Sequence, residues 1–218
     1  MSVIQTLVDG ATKLTIDKSI PTAMSVSRGQ VLRTQSRSTS IYKFVVGLNP
    51  GLSYDNATTR GLLTDYDLTG RMTSETIKLG NVAGNQFITE YMGSLSGANQ
   101  NLLSISGNAV GNVLNLEVTN LTGESATDFI VKKGDFIQPA NSSYPYQATA
   151  DVLRGTDTTV AVPVHREIIE SNVYLANVLL GNNCTFKVKM IQQPPYSITP
   201  GRYVEWGGDL QLMEDIGI

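Results

Sequence analysis

Cysteine and histidine are almost absent from this chain of 218 residues. Cys184 is the only cysteine, so no disulfide can form within the chain. His165 is the only histidine, which argues against most catalytic triads and against a metal centre built from several histidines. We expect Cys184 to be a small buried hydrophobe in a strand, and His165 to be hydrogen-bonded or solvated at a strand end.

Charge is also scarce. Charged residues make up 16% of the sequence and hydrophobic residues 41%, whereas about 25% charged is usual for soluble domains. Ser, Thr, Asn and Gly take the place of the missing charges, which gives a weakly repulsive surface with many hydrogen-bonding groups. Such a surface suits burial against neighbouring subunits, although an ordinary low-charge β-sandwich would have the same composition.

Long hydrophobic runs are missing as well. No stretch approaches the ~20 apolar residues that a membrane span needs, and the N-terminus lacks the apolar core of a signal peptide. We therefore expect no membrane insertion and maturation in a reducing cytosol. The glycine segments are not followed by the Gly-Lys-Ser/Thr of a phosphate loop, and no cofactor is expected.

The few charges are unevenly spread. Residues 1–48 contain six bases and two acids, a balance of +4, so the remainder carries −7. This split favours a basic arm that lies on the acidic body of another subunit, with Arg28, Arg33 and Arg37 as assembly contacts. A solvated, partly disordered arm fits equally well. Nucleic-acid binding is not expected, because these arginines lack interleaved aromatics and a recognition-helix pattern.

The hydrophobic pattern predicts a mainly β protein. Residues 41–46, 73–79, 113–118 and 184–191 are apolar or alternate in the manner of strands, and turn-forming residues separate short apolar runs between 132 and 166. We predict an antiparallel β-sandwich or barrel-like body with one or two short helices and an extended N-terminal arm. The predicted domains are 1–48, arm and first strand, and 49–218, a β-rich body with a possible sub-boundary near 124.

Helices are predicted in two places, and residues 86–92 are ambiguous between a strand and one or two helical turns. Apolar residues between Ile4 and Leu14 lie near a helical spacing, although a strand is an alternative there. Ser96 is a candidate N-cap for a short helix starting at Gly97. In residues 52–124 the frequent glycines leave little room for long helices, so Asp65 and Asp67 are expected on the wet face of a strand or in a turn, with Tyr66 opposite.

Paired carboxylates could in principle cleave a glycoside. The candidate pairs are Asp65 with Asp67, Glu205 with Asp209, and Glu214 with Asp215. Nothing in the sequence fixes the separation of these carboxylates in space. A glycan hydrolase is therefore kept as an alternative, and we expect that the protein is not an enzyme.

Aromatic residues beside turns offer two interpretations. Tyr144, Tyr146 and Trp206 are predicted to be core or subunit contacts. With Tyr196 and Tyr203 they could instead form a platform on which sugar rings stack, which would make the chain a carbohydrate- or receptor-binding module.

Three segments carry a resemblance to a known class of protein. They are residues 66–80 (YDLTGRMTSETIKLG), residues 134–166 (with GDFIQP, YPYQATADVLRG and VAVPVHR) and residues 181–214 (with GNNCTFKV and PPYSITPGRYVEWGGDLQLME). Together they resemble tail and baseplate structural proteins of contractile-tailed bacteriophages, including cyanophages. Residues 1–48 match no feature of these proteins.

The resemblance implies a virion structural protein that is assembled in the host cytoplasm. It implies a β-rich subunit that associates with copies of itself or with other tail and baseplate proteins, in a ring around the tail tube. Exposed strand edges, which are a hazard in a free protein, can be completed by neighbours in such a ring.

Overall fold

A computed structural model describes residues 2–19, 22–26, 32–36, 39–68, 73–107, 111–170, 173 and 175–217, without the side chains of 22–26 and 32–36. The protein is mainly β, with 36% strand against 19% helix and antiparallel sheets. This confirms the predicted fold class; within the described residues no sheet closes into a barrel, and the antiparallel sheets are consistent with sandwich-like packing. No helix in the described part is long and apolar enough to cross a membrane.

The chain divides into two compact units. Unit 1 comprises Met1–Ile77 and Lys187–Ile218, and unit 2 comprises Lys78–Phe186. The sequence predicts a boundary at residue 48. The strand that ends the predicted arm, Ile41–Gly47, pairs on one side with an earlier strand and on the other with the strand Leu210–Glu214, so residues before and after 48 share one sheet.

Unit 1 is built on a five-stranded sheet of order β1-β4-β17-β14-β5. Its strands and the other elements of unit 1 are α1 (Val3–Asp9), β1 (Lys13–Ser19), β2 (Thr22–Val26), β3 (Leu32–Ser36), β4 (Ile41–Gly47), α2 (Ala57–Leu68), β5 (Ser74–Ile77), β14 (Phe186–Gln192, in this unit from Lys187 onward), β15 (Tyr196–Ile198), β16 (Val204–Trp206) and β17 (Leu210–Glu214). β2 and β3 pair as an antiparallel ribbon within the predicted arm.

Alternation of apolar residues builds the core of unit 1. In β4 the side chains of Tyr42, Phe44 and Val46 are buried while their neighbours are more exposed, because successive side chains of a strand point to opposite faces. β17 contributes Leu210 and Leu212 in the same way. The predicted helical spacing near the N-terminus is confirmed for α1, which packs on β5 and α2.

The helix α2 lies in a region where the sequence predicts short strands and no long helix, and this prediction is wrong for residues 57–68. Asn56 begins the helix, since its Oδ1 accepts the N–H of Thr58 at 2.8 Å as an N-cap does. Thr59, Leu63 and Tyr66 form the buried stripe, at the spacing of one helix face. This local stabilisation outweighs the unfavourable Gly61.

Unit 2 consists of shorter elements. They are the 3-10 turns Leu79–Asn81, Ala83–Ile88 and Gly181–Asn183, the helix α3 (Gly97–Gln100), and the strands β6 (Ser104–Ile105), β7 (Val113–Glu117), β8 (Phe129–Val131), β9 (Phe136–Pro139), β10 (Tyr146–Gln147), β11 (Val152–Leu153), β12 (Thr159–Pro163) and β13 (Val178–Leu180). They form sheets of order β12-β7-β6, β10-β9-β13 and β11-β8. Ser96 caps α3 as predicted, by accepting the N–H of Asn99 at 3.3 Å.

Buried polar side chains hold the short strands of unit 2 together. The Asp135 carboxylate accepts the N–H of Met92 at 2.9 Å and that of Lys132 at 2.8 Å. Gln138 accepts the N–H of Thr185 at 2.7 Å and donates to the carbonyl of Ser142 at 2.9 Å. Because buried polar groups are costly unless they are satisfied, these bonds fix the loops around β9.

Candidate functional site

One concave surface of unit 1 surrounds Tyr196, the first residue of β15. One pocket of about 350 Å³ is lined by Tyr66, Asp67, Gln193, Pro194, Pro195 and Tyr196. A second pocket of about 300 Å³ is lined by Pro195, Tyr196, Ser197, Glu205, Trp206 and Gly207. We call them pocket A and pocket B. Both pockets are lined by Pro195 and Tyr196, and we call these two shared residues the Pro195–Tyr196 ridge.

A hairpin and a helix position the aromatic rings. β15 and β16 pair antiparallel with Tyr196 opposite Trp206, and the centroids of these two rings lie 5.7 Å apart at an interplanar angle of 63°. Tyr66 of α2 lies 5.3 Å from the Trp206 ring and 6.3 Å from the Tyr196 ring, both in edge-on geometry. Such edge-to-face packing is favourable for aromatic rings, so each ring stabilises the position of the other two.

Hydrogen bonds anchor the polar tips of two of these rings inside unit 1. Trp206 donates its Nε1–H to the carbonyl of Asn49 at 3.1 Å. Tyr66 donates its hydroxyl to the carbonyl of Pro194 at 2.7 Å, and Gln193 donates from Nε2 to the carbonyl of Tyr66 at 2.9 Å. The Gln-Pro-Pro segment before β15 is thereby tied to the helix α2.

Asp67 holds the third ring. Its Oδ2 accepts the Tyr196 hydroxyl at 2.8 Å. This bond, with a smaller effect of burial, raises the pKa of Tyr196 above its ordinary value, because the carboxylate favours the protonated phenol. Tyr196 is therefore a fixed, neutral, half-buried ring at neutral pH.

Two of the three predicted carboxylate pairs have side chains that do not face each other. Asp65 and Asp67 are both exposed on α2, but residues two apart on a helix do not face each other. Glu214 is buried and accepts the N–H of Tyr42 at 3.2 Å, whereas Asp215 bonds Ser74 and Lys189. Glu205 and Asp209 are exposed, and Glu205 lines pocket B.

The residues predicted as assembly contacts lie in different surroundings. Arg28 and Arg37 lie outside the described residues, and Arg33 lies in β3 with its side chain outside them. Tyr144 and Tyr146 are 5% and 0% exposed, so both are core residues, which is one of the two roles predicted for them; a contact with another subunit stays a prediction. Trp206 is half-buried and lines pocket B.

The only histidine accepts a hydrogen bond from the backbone, and the only cysteine is buried. His165 follows β12, and its Nδ1 accepts the N–H of Gln147 at 3.0 Å, which confirms the hydrogen-bonded position expected of it. Cys184 is buried as expected, although it lies just before β14 rather than in it, and burial raises the pKa of its thiol. No group of three or more His, Cys, Asp or Glu within the described ranges could hold a metal ion.

A second candidate surface is the outer strand of the five-stranded sheet. β1 pairs with β4 over its whole length, from Lys13 opposite Gly47 to Ser19 opposite Ile41, and β4 is its only strand neighbour in the described part of the chain. Four of its seven side chains are exposed. An outer strand of this kind leaves backbone N–H and C=O groups directed away from the sheet.

Sequence reasoning identified Tyr196 and Trp206 but missed the contribution of Tyr66, Asp67 and Gln193 to the same surface. A helix could have been predicted here from Asn56 as N-cap followed by Leu63 and Tyr66 at the spacing of one helix face. In such a helix Asp67, which follows Tyr66, faces the solvent. Contacts across more than a hundred residues of sequence could not be read from the chain. No protein-family model matches this chain, and no curated protein matches it.

Proposed function

We propose that the chain is a non-enzymatic structural component of a bacteriophage tail or baseplate, which acts through subunit–subunit assembly around the tail tube. It joins copies of itself and other tail proteins in the host cytoplasm and remains in the virion. The resemblance of residues 66–80, 134–166 and 181–214 to such proteins supports this proposal. The low charge of the chain supports it as well, since a permanently covered surface needs little charge.

The observation that carries the proposal is the outer strand β1. Its seven residues are long enough to accept another strand through main-chain hydrogen bonds. Its exposed Lys13, Asp17 and Lys18 oppose indiscriminate pairing, as charges on outer strands do. A neighbour with complementary charges can still pair, so β1 is suited to one defined partner strand.

Two proline variants test this role. Consecutive residues of an antiparallel strand direct their N–H groups alternately toward and away from the neighbouring strand, so one of Thr15→Pro and Ile16→Pro removes only an outward donor. Amide hydrogen exchange of the wild-type chain identifies that residue, since its N–H is unprotected. We expect the outward variant to keep unit 1 folded, because proline is tolerated on the solvent side of an outer strand.

The readout is incorporation of the chain into phage particles, measured by mass spectrometry of purified virions and by electron microscopy. The outward proline should abolish incorporation, whereas an exposed substitution in unit 2, Lys133→Glu, should leave it unchanged. Normal incorporation of the outward variant would contradict the role of β1. Absence of the wild-type chain from virions would contradict the proposed function itself.

A further inference from the structure

Pockets A and B offer ring faces rather than polar ring tips. The indole N–H of Trp206 and the hydroxyls of Tyr66 and Tyr196 all donate to protein acceptors, so a ligand meets the half-exposed apolar surfaces of Trp206 and Tyr196 beside the exposed Pro195. Stacking on these surfaces requires a ligand with an apolar face of similar size.

Each pocket also has one carboxylate and one neutral polar side chain. Pocket A has Asp67 and Gln193, and pocket B has Glu205 and Ser197, which lie opposite each other across the hairpin. Carboxylates accept several hydrogen bonds, and hydroxyl and amide groups complete the set. This inventory matches a ligand that carries many hydroxyl donors around an apolar ring face.

The charge in the pockets restricts the ligand further. Among the lining residues that the structure describes, Asp67 and Glu205 are charged and neither Lys nor Arg occurs. An acidic ligand would lose its hydration without gaining a cationic partner, and it would be repelled by both carboxylates. A neutral hydroxyl-rich ligand has no such cost.

We infer that pockets A and B bind a neutral oligosaccharide, with one sugar ring in each pocket and the Pro195–Tyr196 ridge between them. Volumes of about 350 and 300 Å³ lie at the small end of the range for ligand sites, roughly 300–1,000 Å³, and so suit one ring each. The inference goes beyond the proposed assembly role, since it concerns a soluble or cell-surface glycan and a surface of unit 1 distinct from the outer edge of β1.

The first experiment presents the purified full chain to an array of neutral hexose and N-acetylhexosamine oligosaccharides, with uronic-acid and sialic-acid oligosaccharides beside them. Binding to neutral glycans of two rings or more is expected, with little binding to acidic ones. Titration with the best neutral disaccharide should change the fluorescence of Trp206, the only tryptophan of the chain, because the ligand covers its ring.

Matched variants locate the binding. Glu205→Ala, at an exposed position, and Trp206→Ala should each weaken glycan binding about tenfold, which corresponds to one lost charged hydrogen bond or one lost stacking contact. Tyr203→Ala is the control, because Tyr203 is 52% exposed in the same hairpin region but lines neither pocket. Circular dichroism tests whether Glu205→Ala and Tyr203→Ala remain folded, and the comparison of these two variants holds even if Trp206→Ala unfolds.

Three outcomes would overturn the inference. One is the absence of saturable binding to any neutral glycan, and another is an equal loss of binding in Tyr203→Ala and Glu205→Ala. The third is binding of a synthetic basic peptide of residues 25–40 in these pockets in place of a glycan, which would make them a contact between copies of this chain. If the assembly role and the glycan site are separate, Glu205→Ala should leave the incorporation of the chain into virions unchanged.

Discussion

The two units are both antiparallel but are stabilised differently. The five-stranded sheet of unit 1 has strands of four to seven residues, whereas the strands of unit 2 have two to five. Long alternating strands bury a continuous apolar face. Short strands cannot, so unit 2 depends on individual contacts such as those of Asp135 and Gln138. This difference predicts which substitutions destabilise each unit most.

The chain carries one natural probe in each unit. Trp206, its only tryptophan, lies in unit 1, and Cys184, its only cysteine, lies buried in unit 2. Fluorescence of Trp206 follows the unfolding of unit 1. Because burial protects the Cys184 thiol and raises its pKa, its reaction with a thiol reagent follows the opening of unit 2.

The largest effect is expected from a cavity in the sheet of unit 1. Phe44 is fully buried in β4, and Phe44→Ala should lower the free energy of unfolding by about 3–5 kcal/mol. Urea titration followed by Trp206 fluorescence measures this loss. Ile191→Ala in β14 is the control, since Ile191 is 40% exposed and its truncation should cost about 0.5 kcal/mol or less. The contrast between the units is refuted if Phe44→Ala lowers the free energy of opening of unit 2, measured by Cys184 labelling, as much as the free energy of unfolding of unit 1.

A backbone substitution should have the next largest effect, in unit 2. Gly181 has φ +54°, and an added Cβ would lie 2.8 Å from both the Thr89 carbonyl oxygen and the Tyr91 amide nitrogen. Gly181→Ala should therefore cost about 3 kcal/mol, from backbone strain and the steric clash together. The measurement is the rate of Cys184 labelling.

Gly123 supplies the control for this prediction. It has φ +75° with no atom within 4 Å of an added Cβ, so Gly123→Ala carries only the left-handed backbone cost of about 1 kcal/mol. Equal labelling rates in the two variants would show that close packing around Gly181 contributes nothing to the stability of unit 2.

The smallest predicted effect is a pH dependence of opposite sign in the two units. The hydroxyl of Ser74, followed by Lys189 at 3.2 Å, lowers the pKa of Asp215 in unit 1. Asp215 therefore adds stability above its unfolded pKa of about 3.9, and this is lost as the pH falls through the lower folded value. Burial raises the pKa of Asp135 in unit 2, although its carboxylate accepts backbone N–H groups. The stability that protonated Asp135 contributes is therefore present at low pH and is lost as the pH rises through the raised folded pKa.

Native-state hydrogen exchange with mass spectrometry resolves the two units between about pH 5 and pH 2, where such carboxylates titrate. The stability difference between wild type and Asp215→Asn should shrink toward low pH in unit 1, by about 1 kcal/mol or less because Lys189 is partly exposed. The difference between wild type and Asp135→Asn should grow toward low pH in unit 2. Changes of the same sign in both units would refute this contrast.

Regular alternation explains which strands could be predicted from the sequence. Residues 41–46 and 113–118 were predicted as strands and are β4 and β7, because a strand with one buried face needs apolar residues at every second position. Between residues 132 and 166 the sequence predicts only short apolar runs separated by turns, and the strand β11 there comprises just Val152–Leu153. Short strands fixed by distant polar side chains leave no periodic pattern.

The helix α2 and the pockets show what the sequence could not supply. Frequent glycines suggested that the region lacked long helices, yet the Asn56 cap and the buried Leu63 and Tyr66 outweigh Gly61. Tyr196 and Trp206 were foreseen as aromatic contacts, but the approach of Tyr66 depends on how α2 lies beside β15. That placement follows from packing over a separation of 130 residues and has no local signature.

The order of strands in unit 1 has a consequence for synthesis on the ribosome. β17 is the last strand in sequence, yet it lies between β4 and β14 at the centre of the sheet. Residues 78–186 of unit 2 emerge earlier and have all their own strands available. The sheet of unit 1 can close only after residue 214 has left the ribosome, so a chain cut short before β17 leaves β4 and β14 without the strand between them and is a ready substrate for proteolysis.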